Sequence, residues 1–480
     1  MATFLQYSEG GIYLAERNLI TRIPGTDDIL PGQYYQRERI KNTLKDCFES
    51  FGFQGIEVPV IEYLELLLRK SGEEIQTKMY TFEDRGGRKL CLRPEMTPSV
   101  VRAYLQGLQK ARLPLRLFYF GSCFRYDKQQ KGRYRQFTHA GVELLGAEGP
   151  KADAEVIKLA CEGLNQLGLR TYRLHIGNIS FILGLLKKYR LKEPYQDLLL
   201  GSLEALGKGE IDREDIENRL KSIGADEEAK KKFQSVLDFL EQLSQIRGLP
   251  EEVFGKVEDL LREYHLDVGL LKGCREVAHY LDLYGLDWNR ALVNFGFARG
   301  LEYYTGIIFE IHCDLLGTAS QICGGGRYDE LVTTLGGKVP TPAVGFAYGL
   351  ERVQLALGEE SKKETSDGIE AGVIDVRIAP IGDVYAYALQ VAEIMRREGL
   401  RVEIDVVGKK PGKNAEDAQV LGIPYVVFLG PEEVSHRVIR AKFLVEGKEE
   451  IVPFQEEVLH SWCQKLKNRR NQRERVVRTG

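Results

Sequence analysis

The 480-residue chain reads as an α+β domain interrupted by a helical block and followed by a separate α/β domain. Three observations carry that reading. Two strand-like apolar runs, Leu115–Phe120 and Ala140–Leu145, flank a long cationic loop in the pattern of a hairpin. Residues from about Ser180 to Gly285 are charged, helix-favouring and poor in strand signals. Beyond the polar, glycine-flanked stretch Gly358–Gly368, strand-like and helical segments alternate as in a parallel βαβαβ sheet.

In chain order, the Gln36–Pro59 region contains a helix with Ile40, Leu44, Cys47 and Phe48 on one apolar face. A partner subunit or the chain's own core could cover that face. The hairpin loop holds Arg125, Lys128, Lys131, Arg133 and Arg135. Guanidinium groups grip phosphate oxygens bidentately and keep their charge, so the loop suits a polyanion, although a solvated basic turn has the same composition. Glu143 is a lone acid inside the second apolar run and, taken alone, reads as an outward-facing strand residue.

Lys151–Gly168 is amphipathic, with Ala154, Val156, Ile157, Leu159, Ala160, Leu164 and Leu167 at near-helical spacing, and Thr171–Ile176 alternates as a strand. In Pro250–Leu261 the proline stands just inside a helix start, and Val253, Phe254, Val257, Leu260 and Leu261 form one stripe, a packing face rather than a site. Strands resume at Ala291–Phe295 and Thr305–His312. The C-terminal alternation runs Val373–Ala379, Val384–Glu398, Leu400–Val406, Ala415–Leu421 and Tyr425–Leu429. The expected organisation is 1–179, a helical insertion 180–285, 286–357, a linker 358–369, the α/β domain 370–460 and a basic tail 461–480. Lys465–Arg478 carries seven Lys or Arg against one Glu, and would be either a solvated or an RNA-facing tail.

Composition bounds the function. A net charge of −3 provides no global field for nucleic acid, so any such contact needs local basic patches. Eight cysteines without a CxxC pair read as reduced thiols, and no protein metal site is identified. No signal-like N-terminal segment or membrane-length apolar run occurs, so a cytoplasmic protein without membrane attachment is expected.

Phe124–Phe137 (FRYDKQQKGRYRQF) resembles motif 2 of the class II aminoacyl-tRNA synthetases, and its QKGRYRQF part resembles the histidyl branch. Further segments resemble that branch in the same order. They are IPG at Ile23–Gly25 with DILP at Asp28–Pro31, GIEVP at Gly55–Pro59, LRPEMTPSVVR at Leu92–Arg102, ARGLEYYTGIIF at Ala298–Phe309, GGGRYD at Gly324–Asp329 and PAVGFAYGLER at Pro342–Arg352. GLRVEID, GKKPGK and LGIPYVVFLG, between Gly399 and Gly430, resemble the anticodon-binding domain of the same enzymes.

The resemblance implies a mainly antiparallel class II synthetase sheet and an anticodon-binding-like C-terminal domain. It also implies histidine–tRNA ligase activity, with ATP and Mg²⁺, histidine and tRNA as substrates and a homodimer through motif 1. On the matching positions it assigns Arg125 to the α-phosphate and the substrate carboxylate, Asp127 to the adenine side, and Arg133 and Arg352 to the outer phosphates. Arg299 reaches the α-phosphate from the opposite side, where other class II enzymes place a metal. Glu95 and Thr97 fall where the family binds the α-amino group, Glu143 where it accepts from the imidazole, and Tyr304 and Tyr328 where it lines the ring pocket. Lys128 and Lys131 would contact the acceptor end of tRNA.

Two positions depart from the family pattern. Asp127 replaces a common Glu, and His139, preceded by Thr138, stands where the histidyl branch usually has a glutamine that helps hold the amino group. A neutral imidazole accepts one hydrogen bond, whereas a protonated one repels an ammonium. Two alternatives share the fold: the regulatory subunit of ATP phosphoribosyltransferase, a non-charging paralogue, and a related enzyme that adenylates another substrate.

Overall fold

The computed structural model of the chain describes residues 7–8, 11–12, 20–69, 76–128, 132–190, 195, 198–199, 213–222, 227–295, 303–361 and 374–479. Two units separate by their internal contacts, Met1–Glu364 and Thr365–Gly480. In the first, helix α1 (Pro31–Ser50) opens with a proline, where a missing N–H costs nothing. Its buried residues are Ile40, Leu44, Cys47 and Phe48. This is the face that the sequence left open to a partner or to the core, and the core takes it. The Phe48 ring lies 5.8 Å from Phe118, 6.1 Å from Phe346 and 6.5 Å from Tyr348.

Behind α1 lies a nine-stranded sheet. Its strands are β1 (Gln54–Gly55), β2 (Leu115–Phe124), β3 (Gln136–Leu145), β4 (Arg173–Asn178), β5 (Arg247–Gly248), β6 (Ala291–Asn294), β7 (Ile307–His312), β8 (Gln321–Arg327) and β9 (Ala343–Gly349). Their order is β5-β6-β4-β7-β8-β9-β3-β2-β1. The β1–β2 and β4–β6 pairs are parallel and the rest antiparallel, so the expected mainly antiparallel sheet is what forms. The β2–β3 hairpin is longer than the apolar runs suggested. Ladder pairing continues through Gly121↔His139 to Phe124↔Gln136 and leaves a shorter loop.

Side chains alternate between faces along a strand, and here the two faces differ in size. One face carries Phe118, Phe120, Phe346 and Tyr348 and packs on α1 and on α3 (Pro150–Gln166), whose Ala160 carbonyl accepts from Tyr348 Oη. The other face is nearly bare at its centre. The row Gly141–Ala347–Gly324 lies beside Glu143–Gly345–Gly326, with His139 between Gly121 and Gly349. A sheet with one stripped face leaves a broad concavity there. Helix α2 (Thr97–Ala103) starts at its edge.

Between β4 and β6 come α4 (Ser180–Tyr189), α5 (Arg213–Ser222), α6 (Glu227–Ser244), α7 (Pro250–Glu263) and α8 (Leu270–Leu283). The stripe Val253, Phe254, Val257, Leu260 and Leu261 of α7 is buried. Helix α9 (Leu350–Ser361) follows β9 directly and extends past Gly358, so the first residues of the expected linker are helical; 362–373 lie outside the described residues.

The second unit has its own apolar core and a five-stranded sheet. Strand β10 (Val376–Pro380), helix α10 (Tyr385–Arg397), β11 (Val402–Ile404), α11 (Pro411–Val420) and β12 (Tyr425–Leu429) form the expected parallel βαβαβ arrangement. An antiparallel pair that the sequence reading did not name, β13 (Val438–Phe443) and β14 (Lys448–Pro453), completes the sheet. The residues expected as a tail belong instead to helix α12 (Glu456–Thr479). Leu459, Trp462, Cys463 and Leu466 are buried at helical spacing, a stripe that the cationic count had hidden. Arg469 donates to Tyr425 Oη at 3.0 Å and Arg470 to Asp375 at 2.9 Å, so two of the basic residues serve the fold. All eight cysteines are buried free thiols, and no described helix is long and apolar enough to cross a membrane.

Candidate active site

Over the bare face of the sheet lies a pocket lined by Glu95, Thr97, Arg125, Asp127, Arg133, His139, Tyr304, Tyr328 and Arg352. Of the site residues read from the sequence, only Arg299 and Glu143 are not in that lining. Arg299 lies outside the described residues, as does Lys131 of the loop, while the exposed Lys128 is described. Glu143 lies beneath the pocket lining, 1% exposed, and three hydroxyls converge on it, two of them from the lining residues Thr97 and Tyr328. Thr97 Oγ1 donates to Oε1 at 2.7 Å, Tyr119 Oη donates to Oε1 at 3.0 Å, and Tyr328 Oη donates to Oε2. The outward-facing alternative for Glu143 is thereby excluded.

Burial pushes the Glu143 carboxyl up to about 7, against the pull of the hydrogen bonds from Tyr328, Thr97 and Tyr119; nearby Glu95 adds to the rise. Burial and the facing carboxylate push the Tyr119 and Tyr328 phenols well above their ordinary range, so both remain protonated donors. Gly345 makes room for this carboxylate, because any Cβ there would stand 1.9 Å from Oε2. Gly326 does the same for the Tyr304 ring, which would meet a Cβ at 2.8 Å.

Glu95, 3% exposed, accepts from Tyr303 Oη at 2.8 Å. The loop carrying it is pinned by the buried Arg93, which donates to the carbonyls of Ser122 at 2.8 Å, Val58 at 2.6 Å and Pro59 at 2.9 Å. The sequence paired Thr97 with Glu95 at one subsite. In the structure Thr97, at the start of α2, hydrogen-bonds Glu143 instead.

Of the lining cations, Arg133 is exposed and Arg125 and Arg352 are half-buried. Arg125 Nε donates to the Pro94 carbonyl at 2.9 Å, and its guanidinium lies 5.4 Å from the Phe137 ring centre. Arg352 Nε donates to Gly132 O at 2.8 Å and Nη1 to Gln321 O at 2.7 Å, which fixes the fork between the hairpin loop and β8. Asp127 pairs with Lys78 at 3.1 Å. Glu351, beside Arg352, accepts from Thr138 N at 2.9 Å and from Arg37 at 2.9 Å, tying β3, α9 and α1 together. The His139 ring meets Phe137 edge to face at 5.2 Å. Buried acceptors together with lining guanidinium groups suit a zwitterion with a donor side chain, placed next to a polyphosphate.

Sequence reasoning missed Tyr119, Tyr303 and Glu351. Tyr303 adjoins a residue that was chosen, and Glu351 adjoins Arg352. Tyr119 gave no signal, since a tyrosine inside an apolar run reads as core.

The family model described as histidyl-tRNA synthetase matches residues 25–353. The chain belongs to the histidyl-tRNA synthetase family. A second model, described as an anticodon binding domain, matches residues 375–465. Histidine--tRNA ligase of Methanococcus aeolicus is 36% identical over 91% of this chain and 99% of its own. Among solved structures, apo histidyl-tRNA synthetase of S. aureus matches with a TM-score of 0.63 at 26% identity, over 92% of this chain and 99% of that one. A Bacillus halodurans structure titled as an ATP phosphoribosyltransferase regulatory subunit/histidyl-tRNA synthetase matches with a TM-score of 0.67 at 23% identity, over 86% of this chain and 99% of that one; at that identity it reflects the fold.

Proposed function

We infer that this chain is a histidine–tRNA ligase. The observation that carries the reading is Glu143, a buried carboxylate ringed by hydroxyl donors, bonded through Thr97 and Tyr328 to a pocket whose lining also holds Arg125, Arg133 and Arg352. Histidine enters with its imidazole toward Glu143, Tyr304 and Tyr328. Its ammonium is held by Glu95 and by His139 as a neutral acceptor. ATP enters as its Mg²⁺ complex, with Asp127 on the adenine side and Arg133 and Arg352 on the outer phosphates.

Arg125 aligns the histidine carboxylate with the α-phosphate, and Arg299 would supply a second guanidinium to that phosphate. A carboxylate oxygen forms a bond to the α-phosphorus as the bond to pyrophosphate breaks. A terminal ribose hydroxyl of tRNA then attacks the activated carbonyl and AMP leaves. Positioning and charge neutralisation provide most of the rate, which is why fixed guanidinium forks suit the task. The second unit would bind the anticodon loop, with Lys128 and Lys131 near the acceptor end.

The protein acts in the cytoplasm as a homodimer. The dimer surface is not the α1 face at Ile40 and Leu44, which is buried in the subunit. Ile20, Ile23, Leu30, Tyr34, Ile61 and Tyr63 are large apolar residues left exposed, and they are the candidates for that surface.

The test is ATP–pyrophosphate exchange across the twenty amino acids, followed by tRNA charging. Exchange with histidine alone and subsequent charging support the ligase. Histidine binding without exchange would favour the regulatory paralogue, and exchange with another acid would redefine the substrate.

A further inference from the structure

Glu143 accepts hydrogen bonds from three hydroxyls, two on Oε1 and one on Oε2. An ionised carboxylate offers about four lone-pair positions, so one remains, on Oε2. Of the two donors on Oε1, Thr97 lines the pocket, whereas Tyr119 reaches the carboxylate from behind it. Thr97 stands at the start of α2, and Tyr119 is 1% exposed on β2 and does not line the pocket. The Tyr119 phenol reaches Glu143 because its row neighbour is Gly141, where a Cβ would stand 2.7 Å from the Tyr119 oxygen. The opposite neighbour of Glu143 is Gly345, which contributes no group.

We propose that Tyr119 is a positioning residue for histidine recognition: with Thr97 it anchors Oε1 of Glu143, leaving Oε2 as an ionised acceptor for a single imidazole N–H. The proposal rests on Glu143 being the imidazole reader. It gives the chain a selection rule that charge alone does not, since the site requires one donor at a fixed point. A side chain presenting only oxygen acceptors there would leave Oε2 unpaired and repelled.

The charge state of Glu143 is set by what faces it. Thr97, Tyr119 and Tyr328 stabilise the ionised form, while burial and Glu95 oppose it; Tyr303, bonded to Glu95, and Tyr304 complete the wall, and His139 lies two positions along on the same face. Removing one donor to the ionised form raises the carboxyl's pKa. The acid limb of activity then moves to higher pH.

The experiment is Tyr119→Phe, read by histidine-dependent ATP–pyrophosphate exchange over pH 5.5–9 (roughly the span in which a group near neutrality titrates). Expected are a KM for histidine raised about ten- to a hundredfold, an unchanged KM for ATP, and an acid limb of kcat/KM shifted upward relative to the unmodified protein. Comparing the two proteins cancels histidine's own titration. Thr97→Val should act in the same sense and Thr97→Ser should retain function, which separates hydroxyl loss from misfolding. In a Glu143→Gln background Tyr119→Phe should add little, since the two act through one contact. An unmoved acid limb and histidine KM in Tyr119→Phe, with Glu143→Gln impaired, overturns the positioning role and leaves Glu143 standing. If Glu143→Gln itself leaves the histidine KM unchanged, the imidazole reading fails and the inference falls with it.

Discussion

Gly345 and Glu143 are direct neighbours across β9 and β3, and the place a side chain would take at 345 is filled by the Glu143 carboxylate, with a Cβ standing 1.9 Å from Oε2. Gly345→Ala therefore forces the carboxylate away from Tyr328 or bends the strand, since Val142 O also stands 2.5 Å from that Cβ. Overpacking of this kind costs about 1–3 kcal/mol. The expected result is a histidine KM raised at least about tenfold, with a smaller change in the ATP KM. Equal changes in both constants would point to general distortion of the sheet.

Arg352 binds two backbone carbonyls, Gly132 O and Gln321 O, from separate atoms of one planar group. A lysine ammonium cannot span both and point a further donor at phosphate. Arg352→Lys should raise the ATP KM about tenfold or more and leave histidine binding, measured by calorimetry, nearly unchanged. A matching loss of histidine affinity would place Arg352 at the amino-acid subsite.

Much of this arrangement was legible in the sequence, and the exceptions have physical causes. Strand alternation and helical stripes marked the fold, because burial imposes their periods. The hairpin's full length was hidden by Gly121 and Ser122, which read as loop but pair with His139 and Thr138. Arg125 stood out as part of a cationic cluster, and Glu143 as a lone acid in an apolar run. Tyr119 and the bonding of Thr97 did not, because only the register of β2 on β3 and the docking of α2 bring those hydroxyls to Glu143. In α12 the excess of cations masked a four-residue apolar stripe, Leu459, Trp462, Cys463 and Leu466.

His139 lies between two glycines, Gly121 and Gly349, so no neighbouring side chain in its row crowds the ring. A glutamine fits the same slot and offers an acceptor that never becomes cationic. His139→Gln should lower the KM for histidine. A higher KM at neutral pH would assign the imidazole a purpose of its own.

The His175 and His312 rings lie 4.9 Å apart, tilted by 30°, and His312 Nε2 meets Glu310 at 2.9 Å. Burial, with the neighbouring His312, lowers the His175 imidazole from its ordinary 6.5 to about 4. The fold therefore holds His175 neutral where the unfolded chain would protonate it. Its contribution to stability is complete above about pH 6.5 and is lost as pH falls toward 4. His175→Gln should flatten the fall in Tm over that window relative to the unmodified protein. An identical fall in both would show that other groups carry the acid sensitivity.

The second unit has its own core of Val376, Ile378, Val391, Met395, Val427 and Trp462, while the pocket is built wholly from the first. Removing residues 365–480 takes away no residue of the pocket. The shortened protein should retain histidine-dependent ATP–pyrophosphate exchange within about tenfold and lose tRNA charging, since splayed single-stranded bases need a dedicated reader. Loss of both activities from a protein that still melts cooperatively would mean that the second unit supports catalysis in the first, and charging that survives would remove it from tRNA recognition.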